Sequence, residues 1–482
     1  MRFLLPAALA AGAFTLAACG SGATAPNGSL LPAADHSPNA QAYAISRAQS
    51  LPPEHEPGFD IVGPGWEIAP SGLSEGEAFT IEIPVPSDLP NGMTPDQLGI
   101  AAYQPAALDG APFWTLAGEV AYDAARSTLS IQSRGPGLFA AAVPTDYWTV
   151  ARSSAGSYEI RYVAEADAPE GATATLVALL QVELEAARAW LIESGYPDPV
   201  DELGGPQRVY LRPLVGGPGL IQPSNVGTVI LLSNRLEPAP EAIAAAVTHE
   251  LFHLSQRRAQ LDTGTATTWI REATAEYVTI QRLGLGAARP HIDTSCGNYQ
   301  RGITDSRGIN EYHNWTFVAF METRAPGFVR QLLERQRGGN PIDALRELAG
   351  APLSELFAQY ASSYRLLQSY PLAAELSCPE AAAFAVDAGA QEYVLPPLAG
   401  LVLPIEAPDG RQLAIALETE GEPEVILWQR SGDGYEPSAL PQGNDTGGAV
   451  FLLDCGEAAA LVFGSGEESA TVRVSAHPGR EC

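Results

Sequence analysis

Residues 249–253 read His249-Glu250-Leu251-Phe252-His253, a run whose chemistry makes sense on an α-helix. There, positions i and i+4 stand one turn apart on one face, so the two imidazoles can present nitrogens to a single ion. Glu250 lies about 100° round the helix from His249 and can reach a water at that ion without ligating it. Pro240 suits the first position of such a helix. A second helix is predicted from about Thr268 to Leu283, ended by Gly284. It carries Trp269-Ile-Arg-Glu272-Ala-Thr-Ala-Glu276-Tyr277, and the Gly- and Thr-rich connection before it can fold Glu272 back towards the histidines. Catalytic zinc sites take three protein ligands and keep a position for water, so Glu272 is the candidate third ligand.

On the N-terminal side of these helices, Tyr158–Val163 reads as a strand, followed by a helix with Leu176, Leu180, Leu184, Ala187 and Leu191 on one stripe. Arg208–Arg212 and residues 228–232 are further strands, and helical patterns fill 311–368. Short alternating runs between turn residues occupy 59–150, such as Phe79–Val85 and Ser127–Ile131. They return after 379, as in Gln412–Ala416 and Thr471–Val474. That spacing indicates β-sandwiches, or a jelly roll at the C-terminal end. The expected fold is multidomain α+β. A β-sandwich over 59–150 and a β-domain over 379–482 flank a central domain over 151–378, built of a mixed sheet and a mainly helical lobe. Gly72-Leu-Ser74-Glu-Gly76 matches a nucleophile elbow by letter, but that elbow needs a strand before it and a helix after it, so the run reads as a turn.

At Glu272 the sequence resembles the gluzincin metallopeptidases, whose thermolysin and aminopeptidase branches place a ligand glutamate about this far after the second histidine. The Trp269-x-x-Glu272-x-x-Ala275-x-Tyr277 pattern is especially similar to the aminopeptidase-like branch. The resemblance implies a zincin-like catalytic domain with Zn2+ held by His249, His253 and Glu272. Glu250 would then be the general base and acid in hydrolysis of a polypeptide substrate by zinc-activated water. It implies Glu276 as the carboxylate that fixes a histidine's second ring nitrogen. It also implies an oxyanion stabiliser from a later helix, for which Tyr312 and His313 are the candidates. The strand at 228–232 would be the edge strand that pairs with extended substrate. The chain departs from the aminopeptidases in lacking their Gly-Ala-Met-Glu-Asn loop, which favours endopeptidase action, and has Arg271 where the family commonly has asparagine. The rival expectation is a non-catalytic surface binding protein that kept the scaffold.

Residues 1–19 carry Arg2, an apolar stretch and small residues, the pattern of an export signal too short to span a membrane. Leu16-Ala17-Ala18-Cys19 resembles the lipobox of bacterial lipoproteins, which implies a signal peptide over 1–18 and a lipid anchor on Cys19. Gly20 rather than aspartate follows, favouring the outer membrane or cell surface, and residues 19–58 read as a flexible tether. Cys296, Cys378, Cys455 and Cys482 are an even set, which in an exported chain favours two disulfides. Cys296–Cys378 and Cys455–Cys482 are the more local of the possible pairings. Net charge is −29 and all 27 basic residues are arginine. Without a basic face the chain is not expected to bind nucleic acid. Without lysine it has no Schiff-base, pyridoxal phosphate or P-loop chemistry.

Overall fold

The structure is a computed structural model that describes residues 43–52, 58–70, 78–90, 92–104, 113–117, 120–133, 135–165, 171–200, 205–214, 218–222, 228–259, 268–288, 299–305, 310–336, 340–364, 383–386, 389–432, 434–438 and 448–482. Cys19, Cys296, Cys378 and the run 72–76 lie outside the described residues.

The N-terminal strands are β1 (Tyr43–Arg47), β2 (Phe59–Pro70), β3 (Phe79–Pro84), β4 (Gly99–Gln104), β5 (Phe113–Leu116), β6 (Ala121–Asp123), β7 (Thr128–Ser133) and β8 (Gly137–Pro144). They form two sheets, β1-β2-β8-β4-β5 and β3-β7-β6. Alternate residues of both sheets, including Ile68, Ile81, Ile100, Leu129 and Phe139, meet in one core, as period-two strands facing each other must. Residues 43–47 correct the expected tether. They pair antiparallel with β2, and Ile45 enters the core. Leu51 then packs on the sheet's other face, where Trp114 Nε1 donates to the Pro52 carbonyl at 3.0 Å.

The central domain adds β9 (Thr149–Arg152), β10 (Tyr158–Tyr162), β11 (Gln207–Arg212), β12 (Gly219–Gln222) and β13 (Val229–Ser233) in the order β12-β13-β11-β10-β9. The sheet is mixed: β10, β11 and β13 run parallel, and β9 and β12 are antiparallel to their neighbours. Its helices are α1 (Ala174–Glu193), α2 (Pro240–Arg258), α3 (Thr268–Leu283), α4 (Asn310–His313), α5 (Trp315–Arg324), α6 (Phe328–Arg335), α7 (Pro341–Ala349) and α8 (Leu353–Ser362). The stripe Leu176, Leu180, Leu184, Ala187 and Leu191 on α1 is buried in the same core as Ile160 and Val209 of the sheet and Ile243, Val247 and Leu251 of α2. Pro240 begins α2, and Arg257 and Arg258 in its last turn complement the helix dipole. Gly284 ends α3 in the left-handed conformation (φ 83°), its N–H closing on the Ile280 carbonyl at 2.7 Å.

The C-terminal strands are β14 (Gln391–Leu395), β15 (Gly400–Glu406), β16 (Arg411–Glu420), β17 (Glu424–Ser431), β18 (Gly434–Ser438), β19 (Gly448–Leu453), β20 (Ala458–Gly464) and β21 (Ala470–Glu481). They form the sheets β14-β21-β16-β19 and β15-β20-β17-β18 around a core that includes Ile405, Ile415, Leu461 and Val472. Cys455 and Cys482 meet at its edge with Cα atoms 6.4 Å apart, a separation that suits a disulfide. This domain is docked on the helical lobe. Leu398, Val402 and Val462 belong to the central core, Trp428 Nε1 donates to Ser362 Oγ at 3.1 Å, and Gly464 lies against the α8 backbone with no room for a Cβ. No helix among the described residues is long and apolar enough to cross a membrane.

Candidate metal centre

Two buried helices build the site. On α2, His249 and His253 face α3 with ring centroids 4.7 Å apart, while Val247, Leu251 and Leu254 anchor the helix in the core. On α3, Glu272 points back between them. Its Oε2 lies 3.2 Å from Nε2 of His249 and 3.2 Å from Nε2 of His253. Ligand bonds of about 2.0–2.1 Å at tetrahedral angles would set donor atoms about 3.3 Å apart, so these three atoms fit the ligand positions round one small cation. His249, His253 and Glu272 thus form a group that could hold a metal ion.

The surrounding shell fits the same reading. Nδ1 of His249 lies 3.5 Å from Oε2 of Glu276, and Nδ1 of His253 lies 2.8 Å from Oε1 of Gln256. Both rings are therefore held from behind with Nε2 turned towards Glu272. Arg271 Nε donates to Oε1 of Glu272 at 3.2 Å, leaving Oε2 facing the histidines. Burial alone would pull the His249 imidazolium down, but its bonds to Glu272 and Glu276 outweigh that and lift its pKa to about 10. Burial pushes Glu272 up, and the two histidines overcome it, holding the carboxyl well below the usual range.

Glu250 is buried, and its Oε2 has no hydrogen-bond partner. Its carboxyl is pushed above the ordinary range by burial, which the neighbouring histidines only partly offset. An unpartnered carboxylate oxygen in so buried a place is costly unless something arrives to meet it. Gly219 on β12 makes the space: a Cβ there would stand 2.8 Å from Glu250 Cγ and 2.9 Å from its Oε1.

Of the two candidates on α4, Tyr312 joins the site. Its ring stacks on His249 at 5.8 Å between centroids, and burial, with Glu272 and Glu250 nearby, keeps its phenol protonated. His313 is 3% exposed, with its carbonyl accepting from Thr316 Oγ1 at 3.1 Å. A ring so enclosed is poorly placed to meet substrate. The strand expected at a sheet edge, 228–232, is instead interior. Its counterpart β13 is flanked by β11 and β12, and β12 is the edge strand beside α2. The unbroken burial of Val229-Ile-Leu-Leu-Ser233 is what an interior strand requires.

Sequence reasoning missed Gln256, Gly219 and Glu311. The last has a buried Oε2 without a hydrogen-bond partner, and burial, then Glu272 nearby, raises its carboxyl. Gly219 had a faint signal in the run Gly216-Gly217-Pro218-Gly219, where a glycine in a strand marks a close approach.

No protein-family model matches the chain, and no curated protein matches it. Among solved structures, the chain is similar to PliG, a periplasmic inhibitor of g-type lysozyme, from Salmonella Typhimurium. The likeness is at 10% identity and TM-score 0.15, over 20% of this chain and 95% of that one. It is similar to the pre-peptidase C-terminal domain of a Bacillus anthracis collagenase at 15% identity and TM-score 0.15, over 18% of this chain and 87% of that one. PliG from Aeromonas hydrophila matches at 12% identity and TM-score 0.15, over 20% and 93%. The chemistry of the central site therefore rests on its own geometry.

Proposed function

We propose that the protein is a zinc-dependent endopeptidase of the gluzincin type, with a zincin-like central domain, acting outside the cytoplasm from a lipid anchor on Cys19. One observation carries the reading. Glu272 Oε2 stands 3.2 Å from both histidine Nε2 atoms, and close enough to feel their charge lies Glu250, buried and with an unpartnered carboxylate oxygen. Two imidazoles and one carboxylate are a donor set that suits Zn2+ and leaves a coordination position open. Bound zinc would supply a water acidified to a pKa near 7 and an electrophile for the substrate carbonyl.

The chain's own residues supply the rest. Glu250 takes a proton from the attacking water and delivers it to the leaving amine, and its raised carboxyl suits both duties. Tyr312, kept protonated beside His249, donates to the carbonyl oxygen as negative charge develops there. The edge of β12, outermost in the sheet among the described residues, pairs with extended substrate backbone, and Gly219 keeps that edge close to Glu250.

Cleavage of an unstructured protein substrate by the wild-type chain and by Glu250→Gln tests this. The expected loss in the variant is about 10²–10⁴-fold. Equal cleavage by both, or none by a zinc-loaded wild type on any protein substrate, would remove the peptidase reading and leave only the metal site.

A further inference from the structure

The two histidines are held from behind by chemically different groups. His249 faces a carboxylate, Glu276, whereas His253 faces the neutral amide of Gln256 one turn further along α2. The orientation of that amide follows from its surroundings. Its NH2 donates to the Arg271 carbonyl at 2.8 Å and to Thr274 Oγ1 at 2.7 Å. Thr274 spends its own proton on the Ile270 carbonyl at 2.7 Å, so it can only accept from Gln256. Oε1 is the end left for the imidazole. Gln256 is 1% exposed, so water does not compete for these bonds.

We propose that Gln256 is the positioning residue of His253 and the clamp that sets the two ligand helices in register, an inference that rests on the metal-site reading. By accepting the Nδ1–H of His253 it turns Nε2 towards Glu272. By donating to the backbone of Arg271 it fixes α3 one residue before the ligand glutamate. Arg271 Nε then holds Oε1 of Glu272, so both His253 and Glu272 are aimed through contacts that converge on Gln256 and its neighbour. A neutral group is the fitting choice here. Glu250, Glu272, Glu276 and Glu311 already place carboxylates round the site, and a further carboxylate could not donate to α3.

The full chain is compared with Gln256→Met, which removes all three bonds at similar volume, and with Gln256→Glu, which keeps an acceptor for the imidazole but loses the donors to α3. Zinc affinity is read by competition with a chromophoric chelator. Thermal unfolding and solvent exchange of the His253 Nδ1–H are read on the metal-free chains. Gln256→Met is expected to bind zinc about 10–100-fold more weakly, and its Nδ1–H to exchange rapidly. Gln256→Glu should lose clearly less affinity than Gln256→Met and keep a protected Nδ1–H, while unfolding at a lower temperature, as Gln256→Met also does. Wild-type affinity in Gln256→Met, or equal losses in both variants, would overturn the assignment and leave Gln256 a merely structural clamp. If the wild-type chain binds no zinc, the metal reading fails on its own account. Nδ1–H protection in the metal-free chains then still decides whether Gln256 orients His253.

Discussion

An imidazolium, protonated on both ring nitrogens, has no lone pair to offer a metal, and in the metal-free protein His249 is held in that form, because Glu272 and Glu276 lift its pKa to about 10 despite burial. Metal uptake at pH 7 must therefore displace a proton. Calorimetric titrations with zinc in buffers of different ionisation enthalpy should show about one proton released per ion, with affinity rising about tenfold per pH unit towards pH 10. The sign for stability is opposite. A raised histidine pKa contributes stability that is fully present below its unfolded value of about 6.5 and is lost as pH climbs through about 10, so the metal-free chain should weaken over that window. Tyr312 gives a second residue-scale prediction. Tyr312→Phe should lower kcat by roughly 10²–10³-fold with little change in KM, whereas an unchanged kcat would mean that its stacking on His249 is structural only. The grouping of His249, His253 and Glu272 was legible in sequence because spacing on one helix and a short connection to the next are local facts. Gln256 was not, since a glutamine one turn past a histidine looks like any other until α3 is seen packed against it.

Gly219 shows what an element can do that a residue list does not reveal. It belongs to β12, a short strand that leaves Glu250 its space only by lacking a Cβ. Gly219→Ala should push the carboxylate aside and lower cleavage on the order of 100-fold, since a displacement of about 1 Å in a catalytic group can cost that much. Zinc content should be unchanged. Loss of zinc together with activity would instead show that the strand supports the ligands. The edge position of β12 was hidden by its length and by the stronger apolar signal of β13 after it. The helix limits were plain, because Pro240 and Gly284 act through backbone geometry that no tertiary contact overrides. β1 escaped notice for the same reason as β12: a strand of five residues shows too little alternation to separate it from a tether.

Across the whole molecule, the three parts are unequally bound to one another. The C-terminal sandwich sends Leu398, Val402 and Val462 into the central core, while the N-terminal sandwich keeps cores of its own. A chain of residues 145–482 should therefore fold and keep its metal affinity. A chain ending at 388 lacks these three side chains and should lose on the order of 5 kcal/mol of the burial that they contribute to the central core. Comparing their thermal midpoints and solubility checks this, and a stable, metal-binding 145–388 fragment would show the docking to be incidental. The β-domains were legible as strand-rich stretches, but not their attachment, which depends on which face of β15 and β20 turns towards α8. The claim beneath all of this is that His249, His253 and Glu272 hold one ion. Elemental analysis of the full-length chain after zinc loading and gel filtration tests it most directly. One zinc per chain in the wild type, and none in Glu272→Ala or in His249→Ala/His253→Ala, is the predicted result; a wild type without stoichiometric zinc, or variants that retain it, would contradict the account.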